Sequence, residues 1–484
     1  LVKFGVFLGE YVIPEGVEWY EIRNPADVRE IISEFPQLNR NHVREAINNA
    51  KEAFRKWSTT TPQERARILY EASKIVENKS RELAILLTRE EGKTINESLF
   101  EVNRTVNLLR FYAGLIVKEK GKVIPSQDRD TFIITLREPI GVIGVITPWN
   151  FPLSLPAWKI IPALATGNTV VWKPASITPT IALEFAKILY AAGLPKGALN
   201  LVTGKASIVG EEIIENSNIE AITFTGSTET GRYISKKIGS QNRFVRLQLE
   251  LGGKNALVLT KNGDIELAIE LATRSAFGLT GQACTATSRF LVPEDLYDKI
   301  LPKLIERTKR IVVGNGLDER TEMGPLASKE QFDKVLNYIR IGEEEGAKLV
   351  FGGKVLREGN LAYGYFIEPT IFTEVTADMR IAKEEIFGPI LSVMKYRNLN
   401  EAIEIVNSVE YGLVAGIVSK DINEVMKFVQ EAKVGVVKIN KPTVGLEPWV
   451  PYGGFKASGN DNFKEMGEEA LEFFTRLKSV YIGY

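Results

Sequence analysis

The sequence predicts an α/β protein with two doubly wound, mostly parallel open sheets and a small additional β element. Three observations carry that expectation. A chain of 484 residues exceeds what one hydrophobic core organises, so two or three domains follow. From Gly141 onward, short β-branched runs alternate with helical stretches at the spacing of βαβ units. A second alternating set begins at Asn255.

In chain order, residues 41–57 and 63–91 show helical periodicity, with Ala, Leu and Ile recurring every three or four positions. Residues 121–136 alternate apolar and polar around Gln127-Asp128-Arg129-Asp130, which predicts a hairpin arm. Strands are expected at 141–147, 169–173, 199–203, 221–225 and 244–249, with helices at 180–192, 206–216 and 228–239. The second set runs through a strand at 255–260, a helix at 264–278 and strands at 288–292, 390–396, 412–418 and 434–440. Long helices are expected at 294–311 and 328–345, and residues 473–484 read as a final strand.

Composition narrows the function. Lysine plus arginine equal aspartate plus glutamate at 61 each, so no polyanionic partner is implied and no nucleic acid is expected. The longest apolar stretches, 141–148 and 160–172, are interrupted, and no basic-plus-apolar leader opens the chain. A cytoplasmic protein with no membrane partner is the expectation. One cysteine excludes an intrachain disulfide, and one histidine beside it excludes a His/Cys zinc site. A Ser-His-Asp triad would have to use His42, within a helical segment. Enzymatic chemistry would therefore come from cysteine, carboxylates, lysines, amides and a cofactor. Abundant Lys and Glu with little His and Cys point to a thermophilic source.

Five segments carry candidate chemistry. Gly226-Ser227-Thr228-Glu229-Thr230-Gly231 joins a strand to a helix, either as a plain capped junction or as a pyrophosphate site on bare helix N–H groups. It is not the Gly-x-Gly-x-x-Gly fingerprint. Lys173 ends the strand at 169–173, at the carboxyl edge where open α/β sheets bind ligands. Pro148-Trp149-Asn150-Phe151-Pro152 fixes an amide between aromatics, suited to donating to an oxyanion. Cys284 follows Gly278 and Gly281; a lone cysteine packs in a core or serves as a nucleophile, and the glycines favour a cleft. Glu250 lies between Leu249 and Leu251, where desolvation would raise its pKa toward that of a general base.

Together these segments resemble the aldehyde dehydrogenase superfamily. Phe-Thr-Gly-Ser at 224–227, Glu-Leu-Gly-Gly-Lys at 250–254 and Gly-Gln-Ala-Cys at 281–284 match its signatures. So do Pro-Trp-Asn-Phe-Pro at 148–152 and Glu-Glu-Ile-Phe-Gly-Pro at 384–389, with the family's 34-residue interval between Glu250 and Cys284. The resemblance covers essentially the whole chain. It implies that Cys284 is the nucleophile, Asn150 an oxyanion donor with the Cys284 N–H, and Glu250 the base that hydrolyses the thioester. It further implies that Lys173 binds the adenosine ribose of NAD or NADP, and that Gly226 and Ser227 contact the pyrophosphate. Glu385 would then hold the nicotinamide ribose, with Phe387 and Trp149 beside it. Phe151, Leu155, Trp158, Ala283, Thr285 and Tyr452 would line the substrate pocket.

The resemblance also separates subclasses. Glu250 favours release of a free acid over transfer to coenzyme A. Ser176 stands where NAD-selective relatives often carry a glutamate that repels a 2′-phosphate, so NADP is the expected cofactor, with NAD the alternative. Trp158 occupies the place where succinate-semialdehyde dehydrogenases commonly carry an arginine. Asn440-Lys441-Pro442-Thr443-Val444-Gly445-Leu446-Glu447 resembles the segment of members acting on 2,5-dioxopentanoate. Succinate semialdehyde, glyceraldehyde or its 3-phosphate, and broad-range aldehydes are the alternative substrates. A non-catalytic binding or structural protein on the same fold is the alternative of another class. The implied organisation is a cofactor domain (1–120 and 139–250), a catalytic domain (251–458) and an oligomerisation element (121–138 and 459–484) that joins protomers into a dimer or tetramer.

Overall fold

The computed structural model describes residues 2–118 and 121–484. One seven-stranded sheet orders Arg246–Glu250, Ile219–Thr225, Val142–Ile146, Thr169–Lys173, Leu199–Leu201, Val6–Leu8 and Glu10–Val12. The first five run parallel and the last two antiparallel. Val142, Ile143, Val145, Val170, Val171 and Ile222 are all buried, as a parallel sheet with helices on both faces requires. Lys173 pairs with Ile146, Ile146 with Phe224, and Thr225 with Glu250. Four neighbouring strands therefore end together at one edge.

The second seven-stranded sheet orders Lys348–Phe351, Thr370–Thr373, Ile390–Tyr396, Thr287–Pro293, Asn255–Leu259, Val414–Val418 and Val436–Ile439, parallel except for Lys348–Phe351. The chain passes from the first sheet at Glu250 to the second at Asn255. A separate three-stranded sheet joins Val123–Ile124, Thr131–Pro139 and Thr475–Gly483, the last two paired from Thr475 opposite Pro139 to Gly483 opposite Thr131. Val123, Phe132, Leu136, Leu477, Tyr481 and Ile482 stand exposed on it.

The helices Arg40–Trp57, Pro62–Asn78, Ser80–Glu91 and Ile95–Lys118 contribute to the cores under the first sheet. Tyr452, Met466, Ala470, Leu471, Phe473 and Phe474 pack into the largest of these cores. The expected domain junction at 120 abuts residues 119–120, which lie outside the described residues.

Several elements differ from the sequence expectation. The periodic stretch 63–91 is two helices, because Lys79 leaves helical geometry between them (φ −97, ψ 12). Residues 206–216 open with a π-type turn, Ala206–Gly210, before the short helix Glu211–Glu215. The strand at 412–418 is divided: Tyr411–Gly412 pairs with Phe455–Lys456, and Val414–Val418 with the second sheet. The helix at 294–311 begins as the 3-10 turn Glu294–Leu296 and continues as Tyr297–Lys309. The strands at Val6–Leu8, Glu10–Val12, Trp19–Asn24, Asp27–Pro36, Lys348–Phe351 and Thr370–Thr373 and the helix Ile95–Lys118 were not anticipated. In that helix the buried side chains of Glu101 and Arg104 interrupt the apolar stripe that announces a helix.

His42 has a structural place. Asn39 Oδ1 accepts from the N–H groups of Asn41 (2.9 Å) and His42 (3.2 Å), and the Asn39 N–H donates to His42 Nδ1 (3.3 Å). This capping box starts the helix Arg40–Trp57. Among the described residues no helix is long and apolar enough to cross a membrane, and no His, Cys, Asp and Glu group is placed to hold a metal ion.

Candidate active site

The carboxyl edge of the first sheet meets the amino edge of the second. Lys173, Asn150, Gly226 and Glu250 lie at or just beyond the ends of parallel strands. Cys284 precedes Thr287–Pro293, and Glu385 and Phe387 precede Ile390–Tyr396. The turn into Cys284 is unusual: Leu279 (φ 52), Thr280 (φ 56) and Gly281 (φ 69) are left-handed in succession. Such strain persists only where surroundings hold it. Here Glu97 Oε1 accepts from the Leu279 N–H (2.6 Å), and the Thr280 hydroxyl donates to the Gly324 carbonyl (3.0 Å).

Cys284 is half-buried, with Sγ 3.3 Å from the Tyr452 hydroxyl. Asn255 Nδ2 donates to the carbonyls of Cys284 (2.7 Å) and Ala286 (2.9 Å), which fixes the loop from the neighbouring strand. Asn150 is buried, and its Nδ2 donates to the Gln282 carbonyl (3.1 Å). An amide carries two N–H bonds, so one remains for another acceptor. Among the described residues nothing accepts from the Cys284 N–H. Burial pushes the thiol up to about 12; Tyr452 opposes the shift, and Glu385 and Glu250 add to it.

Glu250 is buried, and its Oε2 has no hydrogen-bond partner. Burial, and then the charge of Glu465, hold its carboxyl well above the usual range. Glu465 is also buried and is ion-paired with Lys159, whose Nζ additionally donates to Thr223 Oγ1 (2.9 Å). The charges of Lys159 and Lys464 oppose that rise in Glu250 without cancelling it. On the other side, Lys93 Nζ donates to Glu101 Oε2 (2.7 Å) and to the Asn150 carbonyl (2.6 Å), and sits 4.6 Å from the Phe151 ring centre.

The residues expected to hold a dinucleotide divide between the carboxyl edge of the first sheet and the amino edge of the second. Lys173 is buried, donates to the Pro174 carbonyl at 3.2 Å, and is pushed down to about 8 by burial alone. The exposed Ser176 hydroxyl donates to the Gly204 carbonyl at 3.4 Å. Ser227 caps the helix Thr228–Gly239 by accepting from the Thr230 N–H, and the Gly226 N–H donates to the Glu250 carbonyl (3.1 Å). Glu385 Oε1 accepts from the Gly253 N–H (2.9 Å), and Phe387 (φ 61) lies edge-on to Trp149 at 5.5 Å. Among the described residues, no hydrogen bond or ion pair joins Lys173 or Ser176 to the Cys284 cluster.

The expected pocket residues are unevenly placed. Phe151 is half-buried beside Lys93, and Trp158 lies 5.8 Å from the Tyr452 ring. Leu155, Ala283 and Thr285 are buried, and the Thr285 carbonyl accepts from Thr443 Oγ1 (2.7 Å). Sequence reasoning missed Lys93, Glu101, Arg104, Lys159, Asn255 and Glu465. A usable signal existed for Lys159, the lone ionisable group on the apolar helix Ser154–Ala165.

Comparison with known proteins agrees with this architecture. A family described as the aldehyde dehydrogenase family matches residues 11–480. The 2,5-dioxopentanoate dehydrogenase of Saccharolobus solfataricus is 50% identical over 475 residues, 98% of each chain. The alpha-ketoglutaric semialdehyde dehydrogenase of Bacillus subtilis is 42% identical, covering 98% of this chain and 96% of its own. The crystal structure of betaine aldehyde dehydrogenase from Staphylococcus aureus in complex with NAD+ superposes with a TM-score of 0.96 at 35% identity, covering 100% of this chain and 95% of that one. The chain belongs to the aldehyde dehydrogenase family and is an NAD(P)-dependent aldehyde oxidoreductase.

Only the thiolate alkylates, and burial of Cys284 disfavours it. The rate of iodoacetamide labelling of the unliganded protein, mapped to Cys284, should therefore climb without a plateau from about pH 7 to about pH 10. A plateau below about pH 8 would contradict the raised thiol.

Proposed function

We propose that the protein oxidises 2,5-dioxopentanoate to 2-oxoglutarate with NADP+, through a thioester on Cys284. The observation that carries the chemistry is the meeting of four groups at one edge: Cys284 Sγ, its unpaired N–H, the Asn150 amide and the buried Glu250. Support for the substrate comes from the relatives named for it and from the 440–447 segment.

Cys284 loses its proton to solvent, and Sγ bonds the aldehyde carbon as the carbonyl oxygen takes up the negative charge. The Cys284 N–H and the free Asn150 N–H point their dipoles at that oxygen; one such donor is typically worth about 3–4 kcal/mol of barrier. NADP+, when bound, supplies the hydride acceptor. Cys284 is left acylated. Glu250 then takes a proton from a water whose oxygen attacks the acyl carbon; the C–S bond breaks, the acid leaves and the thiol is restored. A desolvated carboxylate is the stronger base for that transfer.

The cofactor residues suit an anionic dinucleotide. Lys173 is a buried ammonium with no ion-paired carboxylate among the described residues, and Gly226 and Ser227 open a helix N-terminus at the same edge. Lys173 and the free face of Ser176 would hold the adenosine ribose and its 2′-phosphate, and Glu385 the nicotinamide ribose, with Trp149 and Phe387 flanking the ring. We assign 1–120 and 139–250 to cofactor binding, 251–458 to catalysis, and 121–138 with 459–484 to self-association. Free strand edges carrying exposed apolar side chains support the last assignment.

Rates for a panel of aldehydes with each cofactor test the reading. The expected result is the highest kcat/KM for 2,5-dioxopentanoate with NADP+, no dependence on coenzyme A, and no turnover in Cys284→Ala. Inactivity on that aldehyde removes the substrate, and a strong NAD+ preference removes the cofactor assignment. Truncation after Phe474 should shift the sedimentation coefficient to that of a single chain. An unchanged oligomer would refute the role of the terminal strand.

A further inference from the structure

Among the described residues, Arg104 is a buried cation with no ion-paired carboxylate; Glu101 and Glu447 act on it only through space. It lies on the helix Ile95–Lys118 with 6% of its surface exposed. Its guanidinium stacks on the Trp158 ring at 4.7 Å, its Nη2 donates only to the thioether sulfur of Met466 at 3.4 Å, and its Nε finds no acceptor. Among the described residues no carboxylate is ion-paired with it. Glu101, one turn away, is already committed: Oε2 to Lys93 (2.7 Å) and Oε1 to the N–H groups of Leu153 (2.8 Å) and Ser154 (2.9 Å). Burial lowers the guanidinium only to about 10, so it stays charged at neutral pH. An uncompensated buried charge is costly, and folded proteins tolerate one where a ligand supplies the counterion.

Its surroundings say which ligand. Trp158, on which Arg104 stacks, is 5.8 Å from the Tyr452 ring, and the Tyr452 hydroxyl is 3.3 Å from Cys284 Sγ. A run of contacts, Arg104 on Trp158, Trp158 beside Tyr452 and Tyr452 on Cys284, thus places the guanidinium within electrostatic reach of the thiol. Lys438, whose Nζ donates to the Gly445 carbonyl (2.8 Å), lies within electrostatic reach of Arg104, Lys441 and Glu447. Three cations and one carboxylate leave that end of the site positive. The planar guanidinium keeps unused N–H donors in a fork that matches a carboxylate.

We propose that Arg104 is a specificity-determining residue that binds the distal carboxylate of a substrate whose aldehyde carbon is held at Cys284. The assignment rests on the proposed aldehyde oxidation and sharpens it: the preferred substrates are short aldehydes ending in a carboxylate. A neutral aldehyde leaves the buried cation bare and gains nothing from it. The arginine comes from a different element than Trp158, so the absence of an arginine at 158 does not remove carboxylate recognition.

The test compares wild type, Arg104→Met and Arg104→Lys on 2,5-dioxopentanoate, succinate semialdehyde and pentanal. A charge-assisted contact predicts that Arg104→Met lowers the ratio of kcat/KM for carboxylated over neutral aldehyde about 10- to 100-fold, mainly through KM, with Arg104→Lys between. In parallel, 2-oxoglutarate should slow iodoacetamide labelling of Cys284 in wild type and not in Arg104→Met. An equal loss on all three aldehydes, or an unchanged ratio, overturns the proposal in favour of a packing role for Arg104. If wild type oxidises succinate semialdehyde but not 2,5-dioxopentanoate, and Arg104→Met still collapses the ratio, the substrate reading fails while the arginine assignment stands. Preference of wild type for pentanal overturns the assignment.

Discussion

The site depends on a short link. Only Leu251, Gly252, Gly253 and Lys254 separate the last strand of one sheet from the first strand of the next. That brevity forces the carboxyl edge of the first sheet against the amino edge of the second. Side chains far apart in sequence become neighbours as a consequence. The two glycines make the approach possible. A Cβ on Gly253 would lie 2.6 Å from the Cys284 carbonyl oxygen, and one on Gly252 would collide with the Glu385 carboxylate. The Gly253 N–H in turn holds Glu385 at 2.9 Å. The same link carries Glu250 at its start and Asn255, the anchor of the cysteine loop, at its end.

Packing at this junction sets the electrostatics. Burial raises both Cys284 and Glu250, and each charge would raise the other. The resting thiol is therefore protonated, and burial makes the Glu250 carboxylate a stronger base than an exposed one. Lys159 is ion-paired with Glu465 and, with Lys464, opposes the rise that burial imposes on Glu250. Lys93 and Glu101 do the corresponding task for the amide, because Lys93 Nζ pins the Asn150 carbonyl while Glu101 Oε1 binds the N–H groups that open the next helix. Charges buried for such ends cost stability that a purely apolar packing would keep.

Much of this was legible in the sequence, for physical reasons. Strands buried on both faces announce themselves as β-branched runs, so 142–146, 169–173 and 390–396 were read directly. Glu250 between two leucines was expected to be desolvated, and it is buried. Motif residues such as Asn150 and Cys284 stood out because their neighbours, proline and glycine, constrain the backbone. Other features left no local trace. Short strands such as Glu10–Val12 gain stability from pairing, not from pattern. The left-handed run at 279–280 uses leucine and threonine, residues that give no warning of positive φ. Arg104 and Glu101 are ordinary charged residues until tertiary packing encloses them.

The central claim is that the acyl group rests on the single sulfur before water removes it. Glu250→Gln should hydrolyse that bond slowly, so the protein mixed with aldehyde and NADP+ and quenched in acid should carry one acyl adduct by intact mass, mapped to Cys284. No adduct in that variant, together with aldehyde oxidation undiminished in Cys284→Ala, would contradict the account.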